Sequence, residues 1–156
     1  MTDPTAPLCP RQVALEEAAV LRSRVVHGDR AATETLRRLA AAVDLPSALR
    51  ALATAPPPPP HLASVIGAGA SMEEAVERLK DRRVVREMAA WVRQLHPNAV
   101  RVLLDERDDI LAAALRQCTG RVVGVVGLAH VDGIESRWAD ANGEARGQLR
   151  GGDSGP

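Results

Sequence analysis

Arg121–Trp138, RVVGVVGLAHVDGIESRW, carries the strongest strand signal in the chain. Val122, Val123, Val125 and Val126 form a β-branched run between Gly120 and Gly127. A short, continuous apolar run of this kind predicts a strand buried on both faces. Gly127 ends the run and His130 follows. Asp132 and Glu135 have capping-box spacing, which predicts Gly133 as the first helical residue, with Ile134 and Trp138 one turn apart. In open α/β sheets ligands sit at such a strand end. His130 therefore heads the candidate functional residues.

The segment leading into this run predicts a helix from Asn98 to about Cys118, ended by Gly120. At 100° per residue, Val100, Leu103, Leu104, Leu111, Ala114, Leu115 and Cys118 share one face. Arg101, Asp105, Asp108, Asp109 and Arg116 share the other. Arg107 falls in the middle of the apolar face, and Glu106 on its margin. An unpaired buried guanidinium costs several kcal/mol. Two readings are open: Arg107 snorkels to water, or Glu106 and Arg107 point into a cleft beside the strand.

Further out, Arg11–Ser23 and Thr33–Leu39 have helical patterns, and RVVHGD at Arg24–Asp29 predicts a short strand and turn. Pro46 breaks the Ala- and Leu-rich Ala40–Ala55, with Asp44 or Ser47 as a cap. Pro56–Pro60 predicts a stiff polyproline spacer. Ser71 with Glu74 has capping-box spacing, and Asp81 caps a helix that Pro97 stops. Val84, Val85, Met88, Val92 and Leu95 form that helix's apolar stripe.

Twenty basic and twenty acidic residues leave no net charge, which removes the electrostatic case for nucleic acid. The two cysteines, Cys9 and Cys118, fit a reducing compartment rather than a disulfide scaffold. No run approaches the roughly 20 apolar residues of a membrane span. Apolar residues make up 46% of the chain, but Phe and Tyr are absent and Trp occurs twice. Any core is therefore built from Ala, Leu and Val.

LDERD at Leu104–Asp108, then VVGVVGLAHVDGIESRW, resembles the C-terminal half of the TraB/PrgY/GumN family, nearest its eukaryotic TraB domain-containing branch. The combination is an ERD block on a helix, a valine strand, Gly-x-x-His and Gly-Ile-x-x-x-Trp. His27-Gly28-Asp29-Arg30 with Thr35-Leu36-Arg37-Arg38 resembles the family's Gly-Asp-Arg turn and the helix after it. Leu8-Cys9-Pro10-Arg11 and Leu95-His96-Pro97 resemble further elements. The resemblance is strong over 82–138, fair over 8–40 and absent over about 50–70. The family's Gly-Thr-x-His strand, and the strand ending in Glu after it, have no counterpart; Pro7 stands where that Glu is expected. A truncated copy is the expectation.

The resemblance implies catalytic roles for Glu106, Arg107 and His130, with His130 as a metal ligand. It implies turn roles for Gly127 and Gly133, and accessory roles for His27, Asp29 and Arg30. Related Tiki proteins are metal-dependent proteases, so a divalent metal is the implied cofactor. A catalytic zinc usually takes three protein ligands. His27, His61 and His96 show no ligand spacing with His130, so hydrolysis is not expected from this chain alone. His130 as a turn histidine stays an equal alternative.

The expected fold is α/β and mostly helical. A small, incomplete parallel sheet, with strands near 24–27 and 121–127, is packed by about six helices. Burying four valines is worth roughly 6–12 kcal/mol, which is forfeited if no strands flank them. Expected divisions are a disordered 1–10, an N-terminal part of a TraB-like domain at 11–50, a linker at 51–70, a C-terminal part at 71–142 and a disordered tail at 143–156. Two functions stay open. One is a scaffold or regulator, cytoplasmic or peripheral to the mitochondrial outer membrane or another organelle. The other is a metal-dependent hydrolase completed by the missing strands. Expected partners are proteins, including a second copy through an open sheet edge, and not nucleic acid.

Overall fold

Local signals build most of the helices. The computed structural model describes residues 9–60, 62–63 and 71–151. Expectations that fall on 1–8, 61, 64–70 and 152–156 lie outside the described residues. Helix α1 spans Pro10–Val20, with proline in its first turn where a missing N–H costs nothing. Helix α2 spans Ala32–Ala42. Helix α3, Leu45–Ala53, starts at Asp44, whose carboxylate accepts from the Ser47 N–H. Helix α4, Met72–Arg78, has the reciprocal Ser71–Glu74 capping box. Helix α5, Arg82–Leu95, is capped by Asp81 and ends before Pro97.

The helix expected from Asn98 to Cys118 comes in three parts. A short α6, Pro97–Val100, runs into a π-helical turn at Arg101–Asp105, and α7 follows at Glu106–Gln117. In the π turn the Glu106 N–H reaches back five residues to the Arg101 carbonyl. The wider turn changes the phase of the residues after it. Helix α8, Leu128–Gly151, begins five residues before Gly133. That corrects the expected start at Asp132–Gly133. The carboxylates of Asp132 and Glu135 take arginines of α5 instead of capping their own helix.

The predicted sheet is not formed. Among the described residues there is no strand, neither at 24–27 nor at 121–127. Among the described residues no ladder hydrogen bond joins either segment to another. Val123 is 88% exposed and Val125 58%, so the run is not buried on two faces. The physical reason is nonlocality: a strand gains its ladder only from a partner, and the described chain spends its partners on helices.

The core gathers instead between α7 and α8. Leu111, Ala112 and Ile134 are buried together, with Leu115 and Val126 packed against them. Val100 and Val102 are buried at the π turn. The start of Pro56–Pro60 is strapped to α5: the Trp91 indole N–H donates to the Pro56 carbonyl at 3.1 Å, and Leu62 just beyond is fully buried. Among the described residues no helix is long and apolar enough to cross a membrane.

Candidate functional site

The site grows out of three consecutive residues, Glu106-Arg107-Asp108, at the start of α7. Each takes a partner distant in sequence. Arg30 donates to Glu106 Oε2 at 2.7 Å, and Arg38 of α2 donates to both oxygens at 2.9 and 3.0 Å. Arg101 lies 3.7 Å from the same carboxylate. Arg107 donates to Asp29 Oδ2 at 2.6 Å and to the Leu103 carbonyl at 3.3 Å. His130 Nδ1 lies 2.6 Å from Asp108 Oδ1.

The first two pairs interlock. Asp29-Arg30 in the turn before α2 meets Glu106-Arg107 on α7, acid to base and base to acid. Arg30 is also bonded to Thr35 Oγ1 at 3.0 Å and to the Val102 carbonyl. The anomaly of a guanidinium on an apolar face is thereby resolved. Arg107 neither snorkels freely nor stands unpaired; it is held by a carboxylate 78 residues away in sequence.

Asp108 and His130 form the buried pair, 4% and 6% exposed. An ionised carboxylate only accepts, so Nδ1 carries the proton, and in a neutral ring Nε2 keeps its lone pair. Burial pushes the Asp108 carboxyl above its ordinary range, opposed by the bond from His130. The bonds from Arg38 and Arg30 hold Glu106 down at about 2. Arg107 likewise lowers Asp29, chiefly through its hydrogen bonds.

The two glycines have distinct places. Gly127 ends the extended run, and its carbonyl accepts from the His130 N–H at 2.9 Å in the first turn of α8. Gly133 gives room to Asp108: a Cβ there would stand 1.9 Å from Asp108 Oδ2. His130 is thus brought to Asp108, not directly to Glu106 or Arg107. Asp29 and Arg30 join the ERD block, whereas His27 is exposed on the extended segment. Among the described residues no group of three or more His, Cys, Asp and Glu is disposed to hold a metal ion.

Curated TraB domain-containing proteins of mouse and human are each 33% identical to this chain over 85 residues, covering 43% of this chain and 23% of their own length. The bovine protein is 33% identical over 84 residues, covering 42% and 22%. The chain carries a TraB-like segment. It spans under a quarter of these relatives. No family model matches the chain, and no solved structure matches it.

Three residues of this TraB-like chain's site escaped sequence reasoning. Asp108 was expected on the wet face, although at 100° per residue it lies only about 20° from Leu115, at the margin of the apolar side that packs against α8. Arg38, given no role by the sequence, reaches across to Glu106. Arg137 of α8 bonds Asp109, the Asp105 carbonyl at 3.0 Å and the Gly133 carbonyl at 3.1 Å, locking α8 to α7. The signal that could have found the first contacts was the complementary order of the dipeptides Asp29-Arg30 and Glu106-Arg107.

Proposed function

We propose that this chain is a member of the TraB family acting as a non-catalytic scaffold or regulator at an intracellular membrane, the mitochondrial outer membrane or that of another organelle. The observation that supports a scaffold over an enzyme is the saturation of the ERD block. Glu106, Arg107 and Asp108 are each bonded to an internal partner, so their charges tie α7 to α2 and α8 rather than face a substrate. The test images a fluorescently tagged full chain beside an outer-membrane marker, in wild type, Arg107→Asp and the swap Asp29→Arg/Arg107→Asp. The single variant is expected to lose both Tm and membrane association, and the swap to restore both. A diffuse wild-type chain, or a swap that recovers Tm without association, refutes the reading.

One observation favours a metal-dependent hydrolase as the second reading. A carboxylate on Nδ1 with Nε2 left over is the arrangement that orients metal-binding histidines. Yet among the described residues no other group joins the His130 imidazole as a ligand, short of the three protein ligands a catalytic zinc takes, and they do not make that site by themselves. Calorimetric titration with zinc and with manganese, on wild type and His130→Ala, separates the readings. Equal binding by both chains removes this one.

A further inference from the structure

We propose that Val122–Val126 is a self-pairing strand: two copies of this chain associate through it, antiparallel and centred on Gly124. This stands apart from the TraB-like scaffold reading and rests on different residues.

The run has two unlike sides. Val122, Gly124 and Val126 line a trough of about 470 Å³ with Leu115, Ile134 and Trp138. A Cβ on Gly124 would stand 3.2 Å from the Leu115 side chain. The alternate residues are the more exposed ones, Val123 88% and Val125 58% against 43% for Val122. Alternate residues on the trough and the others turned to water is the period-two pattern of a strand. Among the described residues its backbone N–H and C=O groups have no ladder partner, and such a free edge is a template for another strand.

The occupant follows from sequence and charge. Val-Val-Gly-Val-Val is a palindrome. An antiparallel pair centred on Gly124 sets Val122 against Val126 and Val123 against Val125, a self-complementary two-fold contact. The segment 122–127 carries no charge. In this register the two Arg121 side chains lie at opposite ends of the ribbon, roughly 20 Å apart. Each falls beside the partner's Gly127, and the helix after it carries Asp132 and Glu135. A parallel pair would set Arg121 against Arg121 at about 5 Å, a like-charge contact. The other extended segment, Arg24–His27, is not palindromic and carries charge within it, so it does not fit itself in this way. Five residues a side stay below the roughly 1,200 Å² under which interfaces are weak and transient. The expected dissociation constant is on the order of 100 μM.

Sedimentation velocity of the full chain from 5 to 500 μM is the first test. Wild type is expected to dimerise across that range. Val123→Lys is expected to move the midpoint at least tenfold higher with an unchanged circular dichroism spectrum, because this side chain is almost free in the monomer. The second test fixes the register. In a chain carrying Cys9→Ser and Cys118→Ser, a mixture of Val123→Cys and Val125→Cys is expected to oxidise to a covalent dimer, and neither variant alone, since only opposite residues come within disulfide reach. A chain monomeric at 500 μM, a dimer indifferent to Val123→Lys, or cross-linking by Val25→Cys instead overturns the proposal.

Discussion

Replacing Glu106 by Gln removes the charge that holds Arg30 and Arg38 together, and its cost can be worked from the site. The carboxyl is held at about 2 against an ordinary 4.5, which corresponds to at most roughly 3 kcal/mol. The side chain keeps 18% of its surface in water and Arg38 keeps 42%, so solvent screening reduces this to about 1–2 kcal/mol. The sign follows from the depressed value. Glu106 stabilises the fold fully above about 4.5, and its contribution is lost as pH falls through about 2. The variant lacks it at every pH. Urea unfolding followed by circular dichroism should therefore separate the chains by about 1–2 kcal/mol at pH 6. The gap should shrink to under about half of that at pH 3 and close near pH 2. Asp132, also held at about 2, by Arg86 and Arg82, titrates in both chains and cancels. A gap that is constant from pH 6 to pH 3 would refute the assignment of Glu106 as the acceptor of these arginines.

Gly133→Ala should cost about 1–3 kcal/mol, the usual range for overpacking, because the new Cβ displaces Asp108; thermal melts should show it, with His130 losing protection in hydrogen exchange. A double-mutant cycle on Asp29→Asn and Arg107→Gln should return a coupling of about 0.5–1 kcal/mol, weakened by salt, for this partly exposed pair. Ser71→Ala should remove about 1 kcal/mol from α4 alone, visible as faster amide exchange confined to that helix.

What could be read in the chain before its structure was what is local. The Ser71–Glu74 box, Asp44 and Asp81 each cap a helix a few residues away, and each is found capping it. The apolar stripe of α5 was legible for the same reason. The valine run was read as a strand of a sheet and forms none, since β-propensity reports on a residue and a ladder depends on another segment. The capping-box spacing of Asp132 and Glu135 misplaced the start of α8, because Arg82 and Arg86, 50 and 46 residues distant, compete for the same carboxylates. Arg107 announced that it needed a partner without naming Asp29. Asp108 sits at the margin of the apolar face of α7, and its charge put it on the wet side until His130, 22 residues on, supplied a partner.

The proline strap has an optical consequence. With two tryptophans and neither tyrosine nor phenylalanine, all of the chain's near-ultraviolet emission comes from Trp91 and Trp138. Trp91 is tied to the Pro56 carbonyl, while Trp138, 43% exposed, lines the trough beside the valines. Two single-tryptophan chains would thus act as independent lamps, one dimming or shifting when the strap lifts, the other when anything lies down on the trough.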